Sequence, residues 1–136
     1  MSRVLVDAGP LVAFLRQSEA EHEWALAKFK ELRAPYLTCE PVLAEAFFLV
    51  SVHPVGVRRF FDLLNSGLLE IDFSVLRERE ALWKLIHKYE DLSMSLADAC
   101  IVRLAELHPA ASVFTLDSHF RVYRKHGRRQ IPVIMP

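Results

Sequence analysis

Four carboxylates stand at positions where an α/β chain concentrates chemistry: Asp7, Glu45, Asp98 and Asp117. Asp7 follows the buried-strand pattern Val4-Leu5-Val6 and precedes Ala8-Gly9-Pro10, a turn running into a helix. That places its carboxylate at the carboxyl end of a strand, where ligands of open α/β sheets bind. Gly9 is expected to allow the sharp turn and Pro10 to occupy the first helical position, where a missing N–H costs nothing. Asp117 takes the same kind of position after Val113-Phe114-Thr115-Leu116. Glu45 and Asp98 are each the single charge in an apolar helical run, Val42 to Val50 and Leu96 to Val102. Burying an isolated carboxylate costs several kcal/mol, so each acid must be neutralised, paired or bound to a metal. Plainer roles stay open: Asp7 as a turn or helix cap, Asp98 in a capping box with Ser95, and Glu45 paired with Arg58 or Arg103.

Taken together, four acids with no cysteine or histidine in ligand spacing form a hard, all-oxygen donor set, which suits Mg²⁺ or Mn²⁺ rather than zinc. The reaction such a centre serves is hydrolysis of a phosphodiester by an activated water. Other α/β chemistries lack their residues. No GxGxxG or GxxxxGK[ST] is present, no HExxH, and Gly9 stands where a haloacid-dehalogenase-type phosphatase needs a second aspartate.

Strand-like runs at Val4–Val6, Tyr36–Thr38, Leu68–Ile71, Val113–Leu116 and Ile131–Ile134 alternate with helical patterns. Alternation of this kind predicts a three-layer α/β/α sandwich with a parallel, doubly wound sheet of order about 3-2-1-4-5. The first and fourth strands are then neighbours, which brings Asp7 and Asp117 to one crevice. The helix around Glu45 is apolar all round and is expected to be buried, as is the helix around Asp98.

The 136 residues suit one domain, 1–136, and the 52% hydrophobic content is high enough to predict a self-associating surface, a homodimer. Seventeen basic residues balance seventeen acidic ones, so attraction to nucleic acid must come from local patches. Met1-Ser2-Arg3 runs into the first strand without an apolar leader, and Cys39 and Cys100 form no paired motif. A reducing, cytoplasmic setting with no membrane contact is expected. Between His119 and Arg129 lies a basic segment without acids. Its Arg121, Arg124, Lys125 and Arg128 are candidates for holding RNA phosphates, the plainer role being cations at a solvated helix end.

The stretches Val4 to Leu11, Leu43-Ala44-Glu45, Ser95 to Ala99 and Thr115 to Phe120, in that order and spacing, resemble the PIN-domain family, of the kind found in VapC toxins of prokaryotic toxin–antitoxin pairs. The resemblance spans the whole chain. It implies a metal-dependent endoribonuclease for single-stranded RNA, with Asp7, Glu45, Asp98 and Asp117 as ligands of Mg²⁺ or Mn²⁺ and the Thr115 hydroxyl beside them. It also implies a VapB-like antitoxin as partner. His119 stands where many relatives carry a further acid, which leaves one or two ions open. Two other readings remain: a non-catalytic PIN-like module that binds RNA or protein, and a structure-specific DNA nuclease.

Overall fold

The computed structural model describes residues 3–136, so the reading of Met1 and Ser2 as a leaderless start lies outside the described residues. Five short strands form a parallel sheet in the order β3-β2-β1-β4-β7: β1 Val4–Val6, β2 Tyr36–Thr38, β3 Leu69–Ile71, β4 Ser112–Phe114 and β7 Val133–Ile134. This is the doubly wound order expected, with β1 at the centre and in register with β4 through Val4↔Ser112 and Val6↔Phe114. Three-residue strands suffice at the centre because β1 and β2 are buried on both faces by aliphatic or aromatic side chains, while the edge strands β3 and β7 are only partly covered. The flanking helices are α1 Ala8–Leu15, α2 His22–Glu31, α3 Glu40–Val50, α4 Gly56–Asn65, α5 Arg79–Lys88 and α6 Leu96–Leu107. Among the described residues no helix is long and apolar enough to cross a membrane.

Three sequence expectations are corrected. First, α1 begins at Ala8, so Pro10 sits inside the first turn rather than opening it. Gly9 is helical, and a Cβ there would lie 3.2 Å from the Leu116 Cβ; the glycine serves close packing of α1 on the strand-end loop rather than a sharp turn.

Second, α3 is not buried all round. It buries Val42, Ala46 and Val50 at a four-residue repeat and leaves Glu45, Phe48 and Leu49 exposed, Phe48 by 72%. An unbroken apolar run carries no periodicity, so the sequence hides which face turns inward.

Third, the basic segment does not end as a helix. After a 3-10 turn at Ser118–Arg121 it folds into an antiparallel hairpin, β5 Arg124–Lys125 with β6 Arg129–Gln130. Its turn puts His126 and Gly127 in the left-handed region, at φ 51 and 82.

Candidate active site

Asp7 follows β1 and Asp117 lies three residues past β4, while Glu45 sits on the second turn of α3 and Asp98 in the first turn of α6. Parallel pairing of β1 with β4 aligns their carboxyl ends, and both helices start near that edge because each follows a strand or loop emerging there. Asp98 owes its place to a cap: Ser95 Oγ accepts from the Asp98 N–H at 3.0 Å, the half of the capping box that fixes where α6 begins.

Asp7 is the most enclosed of the four, only 5% exposed. The Thr115 hydroxyl donates to its Oδ2 at 2.8 Å and in turn accepts from the Asp117 N–H at 3.0 Å, so one threonine ties both strand ends together. The other oxygen, Asp7 Oδ1, is buried without a hydrogen-bond partner. An orphaned buried oxygen of this kind calls for a proton or a cation. Burial pushes the Asp7 carboxyl up to about 7, with Asp98 and Glu45 adding repulsion and the Thr115 and Ala8 donors pulling the other way. Partial desolvation also holds Glu45 above the usual carboxylate range, helped by Asp98 and Asp117. Asp98 is raised too, first by desolvation, against the donors from Tyr123 and Ser95 and with Asp117 repelling it. Three carboxyls are thus raised, and each is repelled by one or more of the other acids, the signature of a shared site lacking a counter-charge. Among the described residues no three His, Cys, Asp or Glu side chains are drawn closely enough together to hold an ion as they stand. The four acids repel one another without converging.

Two residues outside the acid set complete the arrangement. Tyr123 is fully buried, as expected of a core aromatic, yet its hydroxyl donates to Asp98 Oδ2 at 3.0 Å. Nothing in the sequence marks that link, because it joins positions 25 residues apart through an aromatic ring that reads as core. Asp117 Oδ1 accepts from the His119 N–H at 2.9 Å, with the His119 Nδ1 at 3.5 Å from the same oxygen, so His119 flanks the acid it follows.

Of the basic candidates, Arg121 and Arg128 are exposed. Lys125 is buried, its Nζ donating to the Pro109 carbonyl at 3.0 Å, and the Arg124 guanidinium is folded over the carbonyls of Arg121, Val122 and Tyr123. Lys125 therefore offers no charge to the crevice; its ammonium anchors the hairpin instead. Arg103 is bound to Glu78 at 2.7 Å and to Glu106 at 3.1 Å, which removes it as a partner for Glu45. Cys39 and Cys100 are buried free thiols, and the contact between them raises the Cys39 thiol further.

Known proteins bear out the architecture. The chain is 29% identical over 136 residues to ribonuclease VapC26 of Mycobacterium tuberculosis, with 96% of this chain and 99% of that protein covered. Its fold superposes with a TM-score of 0.74 on the crystal structure of VapC20 of the same organism, a toxin that cleaves the sarcin-ricin loop; identity is 16%, over 85% of this chain and 90% of that one. The sequence also matches the PIN domain over residues 4–126, a span that carries all four acids and every strand of the parallel sheet but β7. The PIN-domain match spans most of the chain and the fold is shared in shape, so the chain belongs to the PIN-domain family.

Proposed function

We propose that the chain acts, as one domain, as a ribonuclease that hydrolyses phosphodiester bonds of single-stranded RNA with Mg²⁺ or Mn²⁺, as the toxin of a toxin–antitoxin pair. One observation supports it above the others: Asp7, buried and raised to about 7, keeps an unpartnered oxygen and is repelled by Asp98 and Glu45. An all-oxygen set fits a hard divalent cation, and Asp7, Glu45, Asp98 and Asp117 are the residues that would hold it. When bound, such an ion lowers the pKa of a water and offsets the charge that gathers on the phosphodiester. The chain's own residues do the rest. Thr115 fixes the rotamer of Asp7 and the backbone of Asp117, and Tyr123 fixes Asp98, so the acids enter the reaction already oriented.

A VapB-like antitoxin would inhibit by laying an arginine or lysine over the crevice, since four acids invite a cation. The exposed apolar side chains of α3 and α4, with Phe48 and Val52 foremost, are the surface for a homodimer. The setting is the cytoplasm, where RNA and antitoxin are.

The test is cleavage of a fluorescent RNA. Cutting is expected with Mg²⁺ or Mn²⁺, absent in EDTA, and lowered about a hundredfold or more by Asp98→Asn. Cutting that persists in EDTA refutes the mechanism. RNA bound but never cut favours the binding module, and preferential cutting of DNA of the same sequence favours the DNA nuclease.

A further inference from the structure

The outward side of α5 carries a pattern that the acid crevice does not use. At 100° per residue, Lys84 and Lys88 form one stripe and Trp83 and His87 the next, while Leu82 and Leu85 face the core. Trp83 is 64% exposed, an unusual position for the largest apolar side chain, and its ring lies on the His87 imidazole at 5.4 Å with an interplanar angle of 27°. Backed by the imidazole, the indole leaves one broad aromatic face to solvent. Alongside runs a groove of about 730 Å³ between α5, α6 and the hairpin, into which Arg77, Arg79, Lys84 and Lys88 project. Two of its three acids, Glu78 and Glu106, are occupied by Arg103, leaving Glu80. Among the described residues none of those four cations has an acid within ion-pair distance; Lys88 donates to the Gly127 carbonyl and Arg79 to the Leu76 carbonyl, each at 2.8 Å, which leaves their charges unneutralised at the groove.

None of Asp7, Glu45, Asp98 and Asp117 lines the groove, so it is a surface apart from the acid crevice. Arg124 lines the groove, with its N–H donated to the Tyr89 hydroxyl at 2.9 Å, and the preceding residue is Tyr123, whose hydroxyl holds Asp98.

From these features we infer that α5 is a second RNA-binding surface, separate from the acid crevice, on which Trp83, backed by His87, stacks a base of single-stranded RNA while Arg77, Arg79, Lys84 and Lys88 hold its phosphates. Cations interleaved with exposed aromatics are what single-stranded nucleic acid requires, since every base offers a π-face and every linkage a charge. An acidic protein segment would use the cations but gives the Trp83 platform nothing to stack. The inference rests on the ribonuclease reading for the identity of the strand, but not for its test.

The experiment is binding in EDTA, where no cleavage interferes, with a fluorescein-labelled 20-nucleotide single-stranded RNA followed by anisotropy and by tryptophan emission. The RNA is expected to quench emission in the wild type and not in Trp83→Phe. Trp83→Ala should weaken binding about tenfold. Replacing Arg77, Arg79 and Lys84 together by alanine should lower the slope of log affinity against log salt by about 2, at roughly 0.7 for each phosphate no longer neutralised. Unchanged affinity and slope in these variants, or no binding by the wild type, overturns the inference. So does a polyglutamate peptide that competes with the RNA and reproduces the quenching, which would assign α5 to an acidic protein. If binding behaves as expected and metal-dependent cleavage is absent, the ribonuclease reading fails while the surface stands.

Discussion

At the scale of single residues, Asp7 sets the energetics of the site. An aspartate whose carboxyl sits near 7 in the folded chain and near 3.8 when unfolded keeps its proton in the native state after the unfolded state has lost it. Between about pH 4 and 7 the native state binds more protons, so stability falls as pH rises through that window and levels off above it. At about 1.4 kcal/mol per pH unit the cost of the ionised Asp7 reaches a few kcal/mol. Asp7→Asn removes the charge and keeps an oxygen for the Thr115 hydroxyl. Denaturant melts in EDTA should therefore find the variant more stable than the wild type by a few kcal/mol at pH 8, with the gap closing by pH 4. A wild-type chain that gains on the variant as pH rises would mean Asp7 is paired in the native state. The same melts with Mg²⁺ should stabilise the wild type and leave the variant nearly unmoved. Asp7 was readable from sequence because a strand, an acid and a helix follow one another within a few residues. Tyr123 was not, since its partner is chosen by tertiary packing.

Among the elements, α6 and α3 show what periodicity can and cannot reveal. The start of α6 was written in Ser95 and Asp98, and the Ser95 hydroxyl accepts the bond that the spacing required. Ser95→Ala should cost about 1 kcal/mol, a drop of roughly 3 °C in Tm, with Ser95→Thr close to wild type. Equal melting of Ser95→Ala and wild type would show that α6 is positioned by packing alone. For α3 the composition pointed to burial, but the buried residues repeat at four and the rest of the helix faces outward. Glu45 is accordingly a partly desolvated acid on an open face rather than a charge in the core. The hairpin escaped notice because strands of two residues each are too short for alternation to register, and Lys125, read as an RNA contact, spends its ammonium on Pro109.

Across the whole molecule, zero net charge conceals a separation, with acids gathered at the strand ends and unpaired cations along α5. Part of the hydrophobic excess gathers on one face: Phe48, Val52, Val55 and Phe61, each at least half exposed, lie on or between α3 and α4. A homodimer through this face should appear in light scattering, and Phe48→Glu with Val52→Asp should convert it to monomer with Tm lowered. A double variant that stays dimeric would place the interface elsewhere.

The register of β1 on β4 joins Val4 to Ser112, and the bond from Thr115 to Asp7 spans 108 positions. Thr115 is itself tied down by a bond from its N–H to the Ile134 carbonyl. During translation, Asp7, Glu45 and Asp98 all emerge before the strand that must sit beside β1. A growing chain thus carries Asp7, Glu45 and Asp98 unassembled until Ser112–Phe114 has been made and can pair with β1. The site is thus an assembly of distant segments, and a fragment that stops short of β4 holds three of its acids with neither Thr115 nor Asp117 to complete them.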